Sequence, residues 1–216
     1  MKLIILKNKE DIAKKASKII INEIKRKPAL VLGLATGKTM IPLYKELVKE
    51  YKRRKVDFSK VKTFNLDEYA DKKQVYHKYM NKNLFSKVNI KKENIYFPLA
   101  NGAKGAEYDT EIKKARGIDL QILGIGKNTH IGFNEPNSSF KSKTRKIKIN
   151  NKEAYTAGIS TIMKSKKIIL LAFGKEKAEA IKKTLKNKVS EQVPASVLRK
   201  HKNVLVIVDE KAGKKV

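Results

Sequence analysis

The strongest constraint on this chain is a set of short apolar runs that leave no room for a polar face. Ala29–Leu34 (ALVLGL), Ile118–Ile125 (IDLQILGI), Lys167–Phe173 (KIILLAF) and Asn203–Val208 (NVLVIV) are nearly continuous in Val, Ile and Leu. A strand with one wet face alternates apolar and polar residues, whereas a strand covered on both faces does not. These runs therefore predict strands in the middle of a sheet. Lys2–Leu6 and Val61–Leu66 read as further strands. Between them lie helical patterns. Asp11–Arg26 repeats apolar residues at Ile12, Ala16, Ile19, Ile20 and Ile24, and Pro42–Arg54 returns to the same spacing. Val75–Phe85, Ala106–Ala115, Lys152–Met163 and Lys175–Lys186 also read as helices, with Val193–Lys200 as a short one. Buried strands alternating with helices predict one α/β domain over residues 1–216. It is doubly wound and Rossmann-like, with a mainly parallel sheet and helices on both faces. In such sheets ligands bind beyond the carboxyl ends of the strands.

Composition narrows the function. The chain has no cysteine, which excludes disulfides, thiolate metal sites and a cysteine nucleophile. His77, His130 and His201 are its three histidines, too few for a histidine-rich metal site, so no metal is expected. The opening MKLIILKNKE holds only a short apolar run, so the reading is a soluble cytoplasmic protein that does not engage a membrane. A formal charge of +30 invites a nucleic-acid partner. Lysine supplies nearly all of it, spread along the whole chain, and arginine stands only at 26, 53, 54, 116, 145 and 199. Bidentate recognition of nucleic acid favours arginine, so the pattern argues for a solvated lysine surface and against specific nucleic-acid binding.

Four segments at strand ends carry chemistry. Gly33–Thr39 (GLATGKT) joins a strand to a helix, where small residues and free amides suit a phosphate held by Thr36, Gly37, Lys38 and Thr39. It is not a Walker A loop, because Leu32 stands where the first glycine would be. Phe64–Tyr69 (FNLDEY) ends in adjacent carboxylates that point apart. One of Asp67 and Glu68 could face a cleft as a general base while the other caps a helix. In Gly124–Pro136 (GIGKNTHIGFNEP), Gly124 and Gly126 permit a sharp turn before Asn128, His130 and Glu135. There Glu135 could orient and charge the His130 imidazole. In Gly174–Ala178 (GKEKA), Lys175 or Lys177 could reach an anion at the same sheet edge.

In order, these pieces resemble the glucosamine-6-phosphate deaminase/isomerase family over nearly the whole chain. The resemblance is carried by LGLATGKT, TFNLDEY, IDLQILGIGKNTHIGFNEP with SSF and KTR after it, GISTIMKSKKIILLAFGKEKAEAI, VPASVLRKH and VLVIVD. The related 6-phosphogluconolactonases share the glycine-histidine loop but lack FNEP. The resemblance implies an enzyme that opens an aminosugar-phosphate ring, moves the C2 proton to C1 and hydrolyses the resulting imine. Fructose 6-phosphate and ammonia are its products, and no cofactor is needed. Alternatives are isomerisation of another amino-sugar or hexose 6-phosphate, such as galactosamine 6-phosphate, and lactone hydrolysis. By the same resemblance Asp67 is the enolisation base and His130 the ring-opening proton carrier. Asn128 and Glu135 assist ring opening, and Thr36 to Thr39 with Lys177 contact phosphate. The partner implied is a small sugar phosphate, and the expected assembly is a monomer or a homo-oligomer.

This sequence departs from the family pattern at several places. Asn128 stands where many members have Asp, Lys38 where Gly is common, and Met40-Ile41 where Thr-Pro is usual. Thr129 replaces a glycine before the histidine, which asks whether the backbone there keeps a negative φ. Between Arg145 and Gly158 the chain is short, and the family's longer segment carries a lid and a phosphate-contacting arginine that has no match here.

Overall fold

A computed structural model describes residues 1–71, 74–98, 105–149 and 151–216. Its strands are β1 (Lys2–Leu6), β2 (Val31–Leu34), β3 (Lys62–Asn65), β4 (Asp67–Tyr69), β5 (Ile95–Tyr96), β6 (Leu120–Leu123), β7 (Arg145–Ile149), β8 (Lys152–Thr156), β9 (Ile168–Ala172) and β10 (Val204–Asp209). Its α-helices are α1 (Lys9–Arg26), α2 (Ile41–Lys52), α3 (Val75–Asn83), α4 (Ala106–Lys114), α5 (Ile159–Met163), α6 (Ala178–Lys186) and α7 (Glu210–Gly213).

The apolar runs form the centre of a seven-stranded sheet in the order β1-β10-β9-β6-β2-β3-β5. All its pairings are parallel. Every residue of β2, β6 and β9 is buried, as a strand covered on both faces requires. Burying one such Leu or Ile side chain contributes about 2 kcal/mol, so these strands anchor the core. β1 lies at an edge and leaves Leu3 and Ile5 exposed.

The helices follow from local chemistry. In α1 the residues Ile12, Ala16, Ile20 and Ile24 face the core. Asn8 caps the helix by accepting the Asp11 amide at 2.9 Å, which explains a start two residues before Asp11. Glu10 and Asp11 in the first turn, with Lys25 and Arg26 in the last, match the helix dipole.

The winding of the sheet creates a crevice. From β2 the chain builds outward through β3 to β5, then returns to lay down β6, β9 and β10 on the other side. Between β2 and β6 the connections leave in opposite directions, and the space beyond the strand ends there is left open.

The segment Lys152–Met163 departs from expectation, because it is not one helix. β8 occupies its first part and α5 its last, with Gly158 between them. The Tyr155-Thr156 pair suits a pleated strand, and Ala154 and Thr156 turn inward. A Cβ on Gly158 would stand 2.2 Å from the Ser142 carbonyl oxygen, so no other residue fits that crossing. Arg145–Ile149, which carried no expected element, alternates as RKIKI and pairs antiparallel with β8. β4, β8 and β7 make a second, three-stranded sheet, so the short segment after Arg145 is a hairpin; Asn150 within it lies outside the described residues. Val193–Lys200 is realised as a 3-10 helix over Pro194–Lys200.

Candidate active site

A cavity of about 780 Å³ opens at the crevice. Thr36, Gly37, Lys38 and Thr39 line it from the end of β2, Asp67 from β4, and Asn128, His130 and Lys177 from the loops after β6 and β9. Glu135, the remaining candidate, stands behind His130.

The β2 loop is built to present backbone. Gly37 has φ +104° with nothing within 4 Å of where a Cβ would be, so glycine serves the conformation there rather than the space. The Tyr79 hydroxyl donates to the Gly37 carbonyl at 2.7 Å, and the Tyr44 hydroxyl donates to the Ala35 carbonyl. A 3-10 turn over Lys38–Met40 then feeds α2, whose first turn contains Pro42. The loop thus offers amides, two hydroxyls and a lysine to an anion.

The two carboxylates of DEY take opposite roles. Glu68 accepts the amides of Tyr69, Tyr76 and His77 at 2.8, 3.1 and 2.8 Å, tying down the first turn of α3. Asp67 is buried and faces the cavity. Its Oδ1 accepts the Thr156 hydroxyl and, at 3.1 Å, the Phe133 amide. Burial raises its carboxyl to about 7, outweighing the lowering by Thr156 and the Phe133 amide, and the charge of Glu68 adds to the rise.

The loop after β6 folds back tightly. The Gly126 amide donates to the His130 carbonyl at 2.9 Å, and the Thr129 amide donates to the Gly126 carbonyl at 3.1 Å. A Cβ on Gly126 would lie 2.4 Å from the His130 ring, which lies against that glycine. Thr129 adopts φ +73°, a left-handed conformation that costs a β-branched residue roughly 1–2 kcal/mol. Among the described residues, the Asn128 side chain makes no hydrogen bond to the imidazole. Its carbonyl accepts the His130 backbone amide at 3.3 Å and its amide donates to Glu135. Glu135 Oε1 stands 2.9 Å from His130 Nδ1 but off the direction of a hydrogen bond. The two groups stand in close contact without a hydrogen bond between them. Burial lowers the imidazole below its usual range, Glu135 opposes this, and Lys177 adds to it. Neutral at pH 7, His130 can both take and give a proton.

Lys177 Nζ donates to the Ile125 carbonyl at 2.7 Å, and burial lowers its ammonium below its usual range. The loop that carries it is held by Asp209, which accepts the Gly174 amide at 3.0 and 3.1 Å. Lys175 is not part of the cavity lining.

Sequence reasoning missed Tyr76, Phe133 and Thr156. Tyr76 and Phe133 line the cavity and pack with Tyr69 in an aromatic cluster, their ring centroids 5.4 to 5.8 Å apart. The only sequence signal for them is the nearness of aromatic residues to DEY and to the Gly132 turn. Elsewhere, a cavity of about 630 Å³ lies near the carboxyl ends of α1 and α2, away from every motif residue.

The family of glucosamine-6-phosphate isomerases/6-phosphogluconolactonase matches residues 7–207. A glucosamine-6-phosphate deaminase of Thermoanaerobacter sp. (strain X514) is 48% identical over 240 residues, covering 99% of this chain and 94% of the relative. A glucosamine-6-phosphate deaminase of Clostridium botulinum (strain Hall) is 45% identical over 243 residues, covering 100% and 99%. Both alignments are longer than the 216-residue chain, so each relative carries residues with no counterpart here. The solved structure of a monomeric glucosamine-6-phosphate deaminase superposes with a TM-score of 0.93 at 37% identity, covering 100% of both chains. A 6-phosphogluconolactonase from Trypanosoma cruzi shares the fold, with a TM-score of 0.81 at 18% identity, over 100% of this chain and 96% of that one. The chain belongs to the glucosamine-6-phosphate isomerase/6-phosphogluconolactonase family.

Proposed function

We propose that the chain is a glucosamine-6-phosphate deaminase, converting glucosamine 6-phosphate and water to fructose 6-phosphate and ammonia. The observation that carries the mechanism is the placing of the buried Asp67 carboxyl, His130 and the Gly37 loop around one cavity. The relatives named for this activity, at 45–48% identity over nearly their full length, support it.

The chemistry divides among these groups. The phosphate rests on the Thr36–Thr39 loop, with Lys177 close by. His130, paired with Glu135, carries a proton between the anomeric hydroxyl and the ring oxygen, which opens the ring. Asn128 holds Glu135 and the loop backbone rather than the ring. Asp67 takes the C2 proton and returns it to C1, leaving an imine at C2. Water adds to that imine and ammonia departs. A carboxyl near pH 7 suits this work, because it gives up its proton as readily as it takes one. Tyr76 and Phe133 form an aromatic wall of the same cavity.

The same reading makes a small sugar phosphate the partner and the cytoplasm the location. It also makes the monomer the first assembly to test, since a solved relative is monomeric. The deciding experiment supplies glucosamine, galactosamine and glucose 6-phosphates and 6-phosphogluconolactone, and measures ammonia, ketose and lactone loss. Ammonia and ketose should appear together from glucosamine 6-phosphate and fall by at least a thousandfold in Asp67→Asn. Lactone hydrolysis without ammonia release would reassign the chain to the other branch of its family.

A further inference from the structure

We propose that Thr156 is a positioning residue for Asp67, fixing one carboxyl oxygen so that the other alone carries the proton between C2 and C1. The inference rests on the base role of Asp67 proposed above.

The geometry begins with the hairpin made by the short segment after Arg145. β8 runs antiparallel to β4, and the register sets Asp67 opposite Thr156. Residues paired this way put their side chains on one face, within contact distance. Thr156 is fully buried, and a β-branched side chain in a strand has little χ1 freedom, so its hydroxyl is aimed rather than mobile. That hydroxyl has one proton, which it donates to Asp67 Oδ1, and it accepts the Phe133 amide at 3.1 Å. The Phe133 amide reaches Asp67 Oδ1 as well, at 3.1 Å. Among the described residues no donor reaches Oδ2. The carboxyl therefore has one tethered oxygen and one free for substrate.

The surroundings keep the triangle closed. Gly132 has φ +56°, and a Cβ there would stand 3.2 Å from both Asp67 Oδ1 and Thr156 Oγ1. Asn134 donates to the Ala157 carbonyl at 2.8 Å, and Arg145 from β7 donates to Asn134 Oδ1 at 2.8 Å. The second sheet is thereby stitched to the loop that carries His130. A proton shuttle between adjacent carbons needs a single oxygen swinging over a short arc, and a carboxyl free to rotate would exchange its two oxygens during the transfer.

The test replaces the hydroxyl without changing the shape. Thr156→Val keeps the branched side chain and removes the donor, and Thr156→Ser keeps the donor and removes the methyl. The titratable groups facing Asp67 are Glu68 on its own strand, Tyr76 from α3, Tyr108 from α4 and His130 across the cavity, and both variants leave all of them in place. Losing a donor to the carboxylate disfavours its charged form. In Thr156→Val the acid limb of kcat/KM against pH should move up by about one pH unit, and kcat should fall about tenfold with KM within twofold. Thr156→Ser should keep the parent's acid limb. The carboxyl 13C shift of Asp67, followed by NMR against pH, reads the same displacement without any turnover. An unmoved titration in Thr156→Val, or an equal displacement in Thr156→Ser, overturns the proposal. Full turnover in Asp67→Asn would instead remove the base role, and the NMR titration keeps the two failures apart.

Discussion

At the scale of single residues, the base role proposed for Asp67 comes with a cost in stability. The folded protein raises its carboxyl from the usual carboxylate range to about 7. Below the unfolded value both states hold the proton and nothing is lost. As pH rises from there through 7, the unfolded chain ionises freely while the folded one must bury a charge, so stability falls. Asparagine accepts the same two hydrogen bonds and does not titrate. Asp67→Asn should therefore match the parent near pH 4 and exceed it above pH 8 by roughly 2–4 kcal/mol, read from denaturant midpoints at each pH. A gap that does not widen with pH would mean that the carboxyl is not raised. The motif FNLDEY showed a carboxylate pair with divided roles, but nothing local says which member faces the cavity. Residues far along the chain decide it, since Thr156 and Phe133 close over Asp67 while α3 lands on Glu68. Thr129 is a similar case. Its replacement of glycine was visible, but the φ of +73° is set by the hairpin-like closure from Gly126 to His130.

At the scale of elements, the sheet was legible because burial on both faces writes itself into composition. Strands β2, β6 and β9 sit within the apolar runs that announce them, and β10 runs one residue past its own, to Asp209. The second sheet was not legible. Its strands have three to five residues, Lys146, Lys148, Lys152 and Glu153 on β7 and β8 face solvent, and Ala154–Ile162 also carries apolar residues that fit a helix. What ends the strand and starts α5 is a crossing at Gly158, where the chain meets the backbone of Ser142 and Lys143. That crossing gives a sharp expectation. Gly158→Ala places a methyl 2.2–2.3 Å from two carbonyl oxygens that cannot yield, so the hairpin must shift. The variant should lose about 2–4 kcal/mol in chemical denaturation, and any folded remainder should turn over more slowly because Thr156 moves with β8. An unchanged midpoint with unchanged kcat would show that the hairpin is not held by this contact.

At the scale of the whole molecule, the charge of +30 gains a meaning that composition alone did not supply. Lysines spread over a surface produce no site, but a field focuses where walls are concave. The proposed active cavity is lined by Lys38, Lys127 and Lys177, against Asp67 and Glu176. Beside it a groove of about 710 Å³ shares Lys38 and Phe173 with that cavity and adds Lys9, Lys14, Lys45 and Lys49, against Glu10 and Glu46. With Lys9 paired to Glu10 and Lys49 to Glu46, the groove keeps a net positive lining, and a dianionic sugar phosphate approaching this side of the sheet should be drawn toward the Gly37 loop. At 0.1 M salt the screening length is about 10 Å, so exposed lysines along the groove act at low salt and fade at high salt. kcat/KM for glucosamine 6-phosphate should therefore fall roughly tenfold between 20 and 500 mM sodium chloride, with kcat nearly constant, because screening weakens the encounter with free substrate rather than the chemistry of bound substrate. Lys14→Gln with Lys45→Gln should flatten that dependence while leaving the acid limb set by Asp67 in place. A kcat/KM indifferent to salt would reduce the lysines to a solvated coat, and leave substrate capture to the Gly37 loop and Lys177 alone.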